Sequence, residues 1–359
     1  MYAITIPTST NVGDYLISQS AKRLIKEIKG DVEILEFPMQ KDLESDLNQI
    51  NQCNALIIPH FGIRDPGMYP ETYRLVKDLK KIKIPIMPLG AGWKGFPGDI
   101  NTVNTIEYSQ KTVDFLKYIS KQVNSILCRD YFTSQVLKKY GIDNTVMGGD
   151  VAWYDFDMMG KEMNRKKELK KIVFTTPHAP WYNEQAKKMV KMLNEMFPNA
   201  NKICAMHSGL GLEDNEIGEY AKSIGFELLD VSKDLEKIEF YKKCDLHVGY
   251  RLHAHIFFLR NRNPSILLNE DGRGTGFSYT VGVGGFNAFQ RLSGIKKNIH
   301  FATHKGKERF MMADLNVIPK IKLFLEEEVD SQFRRYVGIP KFFDDTFEKV
   351  MKPWINNIP

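Results

Sequence analysis

Cysteine is scarce and scattered along this chain. Its 359 residues include four, Cys53, Cys128, Cys204 and Cys244. None is spaced as a zinc ligand or half of a redox pair, which excludes a disulfide-stapled scaffold and a cysteine metal centre. Cys128 and Cys204 lie in apolar, strand-like runs, as buried thiols of a reducing compartment do. A long apolar run is lacking too. The longest uncharged stretch, Gly274 to Gln290, is rich in glycine and polar residues, whereas a membrane span needs ~20 mostly apolar residues. Charge of one sign is modest: 50 Lys and Arg against 44 Asp and Glu leave a net +6. No basic cluster interleaved with aromatics points to nucleic acid, and Arg165 to Lys171 reads as a solvated linker. Repeats and low-complexity tracts are missing. His253 and His255 diverge around a helix axis, so no metal is expected. The chain opens on a strand pattern, Tyr2 to Pro7, with no leader signature, so a cytoplasmic location is expected.

What is present is alternation. Strand patterns at Tyr2–Pro7, Val32–Phe37, Ala55–Pro59, Ile84–Leu89 and Ser125–Cys128 are separated by helical patterns at Tyr15–Lys29, Leu43–Gln52, Thr72–Lys81, Thr105–Lys121 and Phe132–Tyr140. Ala55-Leu56-Ile57-Ile58 is continuously apolar, as a parallel strand buried on both faces must be. Periodicity lapses over Asp155 to Lys170 and then resumes. Strands are expected at Lys171–Thr176, Lys202–Met206, Glu227–Val231, Asp245–Gly249 and Ser265–Leu268, with helices at Asn183–Phe197, Glu213–Ile224, Leu235–Lys243 and His255–Leu259. The pattern is α/β, two doubly wound Rossmann-like domains over residues 1–155 and 171–310. A helical segment, 311–359, is broken by Pro319, Pro340 and Pro353. Its last 29 residues carry Phe333, Tyr336, Phe342, Phe343, Phe347 and Trp354. So much aromatic surface is foreign to a free tail, and packing on the first domain is expected.

In open α/β sheets ligands bind beyond the carboxyl ends of strands. Gly249-Tyr250-Arg251-Leu252-His253-Ala254 lies there, offering a permanent cation, Arg251, and a group titrating at about 6.5 when unperturbed, His253. Alternatively Arg251 pairs with a carboxylate and His253 only opens a helix. Asn11-Val12-Gly13-Asp14 joins the first strand to the first helix, where Gly13 permits close approach and free N–H groups favour an anion; simple N-capping is the competing reading. Arg129, His60, His178 and His207 also follow strands. Gly148-Gly149-Asp150 reads as a turn. Gly90-Ala91-Gly92-Trp93-Lys94-Gly95 has the formal dinucleotide spacing, but Phe96-Pro97-Gly98 follows where a helix should open, so no nicotinamide cofactor is expected. Trp93 is a candidate to stack on a sugar ring. Pro264 to Arg273 is a strand ending in Glu270-Asp271-Gly272-Arg273, and Gly272, Gly274 and Gly276 read as a flexible loop.

Taken in order, Asn11 to Asp14, Arg129-Asp130, Gly149-Asp150, Arg251 to His253 and Pro264 to Arg273 resemble the polysaccharide pyruvyl transferase family over about residues 1 to 290. The family commonly has a tyrosine-aspartate pair and a lysine where this chain has Glu270-Asp271 and Arg273. The resemblance implies a glycosyltransferase-B architecture with an acceptor-side first domain and a donor-side second. It implies transfer of the enolpyruvyl unit of phosphoenolpyruvate to a sugar of a surface-polysaccharide precursor, closing a pyruvyl ketal, without metal or redox cofactor. Arg251 and Arg273, with Arg129, would hold the donor, and His253 would be the general acid. Asp14 would orient or deprotonate an acceptor hydroxyl, while Asn11, Gly13, His60, Trp93, His178, His207 and Asp271 would line the cleft. A lipid-linked acceptor would bring peripheral contact with the inner membrane face. A sugar-nucleotide glycosyltransferase of the same architecture and a non-catalytic ligand-binding relative are the alternatives.

Overall fold

Continuously apolar strands must be covered on both faces, and helices with one apolar stripe supply the cover. The computed structural model describes residues 1–207, 216–291 and 311–359. Its first sheet comprises β1 (Tyr2–Ile6), β2 (Ile34–Pro38), β3 (Leu56–Ile58), β4 (Gly62–Ile63), β5 (Ile86–Trp93), β6 (Ile126–Cys128) and β7 (Thr145–Met147). The order is β2-β1-β3-β5-β6-β7, every pairing is parallel, and β4 lies alongside the end of β5. The covering helices are α1 (Val12–Lys29), α2 (Leu47–Ile50), α3 (Ile100–Thr105), α4 (Gln110–Ser120) and α5 (Tyr131–Lys139). In α1 the stripe of Leu16, Ile17, Ala21, Leu24 and Ile25 is buried.

The second sheet contains β8 (Lys171–Thr175), β9 (Asn201–Met206), β10 (Glu227–Asp230), β11 (Leu246–Gly249), β12 (Ser265–Asn269) and β13 (Gly285–Asn287), in the parallel order β10-β9-β8-β11-β12-β13. Its helices are α6 (Asn183–Met196), α7 (Glu216–Ser223), α8 (Leu252–Arg260) and α9 (Gly272–Val281), and β14 (Phe289–Arg291) pairs antiparallel with β15 (Met311–Ala313). The expected helix start at Glu213 and the expected domain end at residue 310 lie outside the described residues. Strand order reverses between β1 and β3 in the first sheet and between β8 and β11 in the second. Loops beyond such points form the ligand crevice of doubly wound sheets. The halves meet through these loops: Lys233 N–H donates to Thr10 O at 2.9 Å, Val12 N–H to His207 O at 3.2 Å and Gly272 N–H to Gly95 O at 2.8 Å.

Of the C-terminal elements, α10 (Val317–Asp330) packs on the second half, against α6 and β13, and the chain through α11 (Ile339–Thr346) and α12 (Lys352–Asn356) then returns to the first half. Phe343 stacks on Trp153 at 4.6 Å, Phe347 lies 5.3 Å from Tyr154, and Trp354 Nε1 donates to Ser125 O at 2.9 Å. Burying each large ring contributes about 1.5–3 kcal/mol. Tyr336 instead donates to Ser265 O in the second half at 2.7 Å, so the segment ties both halves together. Among the described residues no helix is long and apolar enough to cross a membrane.

Four local expectations are corrected. No helix forms over Thr72–Lys81: only a wide turn at Met68–Thr72 and one 3-10 turn at Leu79–Lys81 do. Tyr73, Leu75 and Val76 are buried from non-helical backbone, so their spacing served packing rather than a helical stripe. The helix expected over Thr105–Lys121 is divided into α3 and α4, because Asp99 and Ser109 each cap a separate N-terminus. The glycine loop after Asp271 is the helix α9. Asp271 caps it, and Gly274 and Gly276 let it pack closely on Asn269 and Asp130, offsetting the ~1 kcal/mol that helical glycine costs. Finally, α8 begins at Leu252, placing His253 inside its first turn.

Candidate active site

The loops at both reversal points converge on His253. Its side chain is packed against Gly13: a Cβ there would stand 2.8 Å from His253 Nδ1, so only glycine lets α1 and α8 approach this closely. His253 Nε2 is 3.6 Å from Asp150 Oδ2. Arg129 Nη1 approaches the same oxygen at 3.7 Å, and Asp150 Oδ1 accepts from Ala152 N–H at 2.9 Å. Burial alone would push the Asp150 carboxyl up, but the His253 ring and the Arg129 guanidinium hold it below the ordinary carboxylate range. The turn residue of the sequence is therefore a buried carboxylate facing the central histidine.

Beside His253 opens a pocket of about 150 Å³, whose wall carries Asp14, His60, Arg64, Lys94, Arg129 and Arg273. Arg64 Nε and Arg129 Nε and Nη2 are buried without hydrogen-bond partners. Burial pushes Arg64 below the usual arginine range and Arg273 lowers it further; Lys94 is depressed by burial and then by Arg64 and Arg273. Four cations converge here, two of them, Arg64 and Arg129, with unsatisfied N–H groups; they repel one another, and an anion bound among them would relieve that cost. Asp14 is the acidic wall. Burial would raise its carboxyl, but His60, the Ser9 hydroxyl at 2.5 Å and His253 together hold it low. His60 is hydrogen-bonded to Ser18 Oγ at 2.8 Å, and burial takes it down to about 4, so it is neutral at pH 7.

Next to this pocket is a space of only about 30 Å³, bordered by Asn11, His178, His207, Arg251 and Glu270 among others. That holds about one water. Here the groups are already engaged. Arg251 is buried, its Nε donates to Thr176 O at 2.8 Å and its Nη2 to Pro177 O at 3.2 Å, and its Nη1 meets the His178 ring. Arg251, expected to hold the donor, clamps the loop after β8 through these contacts. His207 is buried and bonded to Tyr241 Oη at 2.8 Å, which removes it from the open cleft. Arg273 pairs with both oxygens of Asp271, the shortest contact 2.6 Å, and Asp271 is held down to about 2 against the effect of burial.

Trp93 requires correction: it is fully buried, packed on Gly95, Gly272 and Phe132, and has no face for a sugar. Asn11 caps α1. Arg64, Lys94, Asp150 and Glu270 were not singled out from sequence as functional. Arg64 and Lys94 directly follow β4 and β5, so the strand-end rule that found His60 would have found them. A two-residue strand leaves no periodic signal, however, and Lys94 sat in a glycine loop dismissed as a false fingerprint.

A family model described as polysaccharide pyruvyl transferase matches residues 11–272, well over half of the chain. No curated protein matches the sequence. Among solved structures, the UDP-GlcNAc 2-epimerase from Neisseria meningitidis, bound to UDP-GlcNAc, is 10% identical with a TM-score of 0.52, covering 99% of this chain and 100% of its own. MnaA from S. aureus, solved with UDP, is 13% identical with a TM-score of 0.52, covering 99% and 97%. At such identity the likeness shows the fold alone, the glycosyltransferase-B-like pairing of two Rossmann-like sheets.

Proposed function

The chain belongs to the polysaccharide pyruvyl transferase family, and on that premise we propose that it transfers the enolpyruvyl unit of phosphoenolpyruvate to a saccharide and closes it into a pyruvyl ketal. One observation carries the reading: the pocket in which Arg64, Lys94, Arg129 and Arg273 converge beside His253. Phosphoenolpyruvate bears a phosphate and a carboxylate on a three-carbon frame. Several fixed cations in a partly dry cleft suit it, and the buried guanidinium N–H groups give donors to both anionic ends.

The chemistry then needs a proton at the methylene carbon. His253 is at the pocket wall and is our general acid, with Asp150 orienting the ring and balancing the imidazolium charge. Protonation leaves an oxocarbenium-like centre at the middle carbon, where a sugar hydroxyl attacks. Phosphate leaves, and a second hydroxyl completes the ketal. Arg129 neutralises the leaving phosphate while remaining tethered to Asp150. The acceptor is a precursor of a surface polysaccharide, and the reaction belongs to the cytoplasm or the inner membrane face. No step calls for a metal or redox cofactor.

Incubating the protein with phosphoenolpyruvate and a panel of oligosaccharides, followed by mass spectrometry, tests the reading. Gain of a pyruvyl ketal together with released phosphate is the expected result. Transfer of a sugar from a nucleotide-sugar arm, with phosphoenolpyruvate inert, would contradict it.

A further inference from the structure

A second cavity, about 300 Å³, shares Asp14, Lys94 and Arg273 with the cation pocket. That is the lower end of the size range of ligand pockets, ~300–1,000 Å³. Its character is different. Trp181 and Tyr182, in the turn after β8, form one wall with ring centroids 5.8 Å apart, and Phe96 faces them from the first half. Glu270 and Asp271, at the end of β12, add carboxylates. A pyranose presents apolar C–H faces ringed by hydroxyls. An aromatic face takes the former and carboxylate oxygens accept from the latter.

Three carboxylates border this space, and their engagements differ. Asp271 is locked in its two-pronged pair with Arg273. Asp14 is held by Ser9 and faces His60. Among the described residues Glu270 accepts only the His178 backbone N–H, at 3.0 and 3.2 Å, and stands 3.6 Å from the His178 ring. It alone of the three borders both this cavity and the small space behind Arg251 without a full counter-ion. We propose that the 300 Å³ cavity is the acceptor-sugar subsite, with Trp181 the platform for a pyranose ring and Glu270 the base that takes the proton of the attacking hydroxyl.

This rests on the phosphoenolpyruvate reading above and moves the base from Asp14 to Glu270. Burial pushes the Glu270 carboxyl up to about 7, against the pull of Arg251 and the His178 N–H, while Asp14 lies below the ordinary range. A base whose affinity for protons matches the working pH transfers them best. In the step, the hydroxyl oxygen bonds to the middle carbon of the enolpyruvyl unit as its O–H bond breaks, and the proton passes to Glu270. The C–O bond to phosphate then breaks, with the electron pair leaving on phosphate, and the second hydroxyl forms the other ketal C–O bond. Two hydroxyl protons are released. One replaces the proton His253 gave to the methylene carbon and one departs on phosphate, so the enzyme returns to its starting state.

The test is phosphate release from phosphoenolpyruvate with a panel of p-nitrophenyl hexopyranosides, for wild type, Glu270→Gln, Glu270→Asp and Trp181→Ala, beside calorimetric titration of phosphoenolpyruvate alone. The groups facing Glu270 are Arg251, His178, Asp271, Arg273, Tyr182 and Tyr250. Since Glu270 works deprotonated, wild-type kcat should rise as pH climbs through about 7. Glu270→Gln should lose ~10²–10⁴-fold in kcat and the acid limb with it, at unchanged phosphoenolpyruvate affinity, and Glu270→Asp should restore part of both. Trp181→Ala should raise the acceptor KM, up to about tenfold, with little change in kcat. A folded Glu270→Gln enzyme with wild-type kcat and acid limb overturns the base. Unchanged acceptor KM in Trp181→Ala, or a wild type that binds phosphoenolpyruvate yet uses none of the hexosides, overturns the subsite. Failure of wild type to bind phosphoenolpyruvate at all would instead sink the underlying reading.

Discussion

The two halves of the cleft carry similar numbers of cations and use them differently. Among the described residues of the second half, the cleft arginines are spoken for: Arg273 grips Asp271 through two oxygens, and Arg251 grips the carbonyls of Thr176 and Pro177. In the first half Arg64 and Arg129 keep buried N–H groups without hydrogen-bond partners, although Arg129 stands 3.7 Å from Asp130 and from Asp150, and Lys94 is depressed by burial and by its cationic neighbours. On the proposed reading, fully bonded charge builds the wall, and cations with unsatisfied N–H groups bind the ligand. Leaving buried donors unsatisfied costs stability, a cost proteins bear at functional sites. On the proposed reading, donor binding falls mainly to the first half, with Arg273 the contribution from the second, whereas the resemblance in sequence implies a donor-side second domain.

The largest effect should come from His253, where the halves meet. His253→Ala is expected to lose ~10²–10⁴-fold in kcat while phosphoenolpyruvate affinity holds, since the ring carries the proton and the cations carry the anion. Steady-state kinetics with calorimetry checks this, and near wild-type turnover in the folded variant would remove His253 from the chemistry. Gly13→Ala comes next. The added methyl would press on the His253 ring, and a misplacement of about 1 Å costs up to ~10²-fold in rate. The variant should keep its donor affinity, and if its rate is also unchanged the ring is not held by that contact.

Arg251→Ala sharpens the contrast from the paired side. It strips the Thr176 and Pro177 carbonyls of their donors, so a stability loss of about 1–3 kcal/mol is expected in denaturant unfolding. The loss should exceed any direct effect on donor affinity. A stable variant that no longer binds phosphoenolpyruvate would return Arg251 to the donor site. The smallest effect is a slope. The folded protein holds the Glu270 proton up to about 7, whereas the ordinary value is 4.5. Between these the folded state binds more protons than the unfolded one, so this group makes stability fall as pH rises. His60, lowered from 6.5 to about 4, gives the opposite slope over its own window. Melting temperatures of wild type and Glu270→Gln across pH 4.5 to 7 isolate the Glu270 contribution. Identical slopes would contradict it.

The architecture was legible because buried parallel strands read as apolar runs and their helices as single stripes: β3 and α1 needed nothing else. Errors arose where tertiary packing outweighed local pattern. Tyr73, Leu75 and Val76 looked helical by composition but are buried from irregular backbone. Gly272 to Gly276 looked like a loop, yet the Asp271 cap and close packing on Asn269 and Asp130 make it a helix. In the site, residues just past strand ends were visible one by one, among them Asp14, His60, Arg129 and His253. Their relations were not. Nothing local links Asp150 to His253, and nothing local marks Trp93 as core and Trp181 as cleft wall. Lys94 was in view, and its glycine-rich surroundings drew attention to the wrong chemistry.

Arg64 gives the most direct test that unpaired charge in the first half binds the donor. It has no carboxylate partner within ion-pair distance among the described residues, its Nε is buried without a hydrogen bond, and burial and Arg273 push its pKa down. Phosphoenolpyruvate should be titrated calorimetrically into Arg64→Met, with the melting temperature read on the same preparation. We expect affinity to fall about 10- to 100-fold, the worth of one charge-assisted contact, while the melting temperature stays level or rises as a buried repulsion is relieved. Undiminished affinity, or affinity lost only together with a drop in melting temperature, would contradict us.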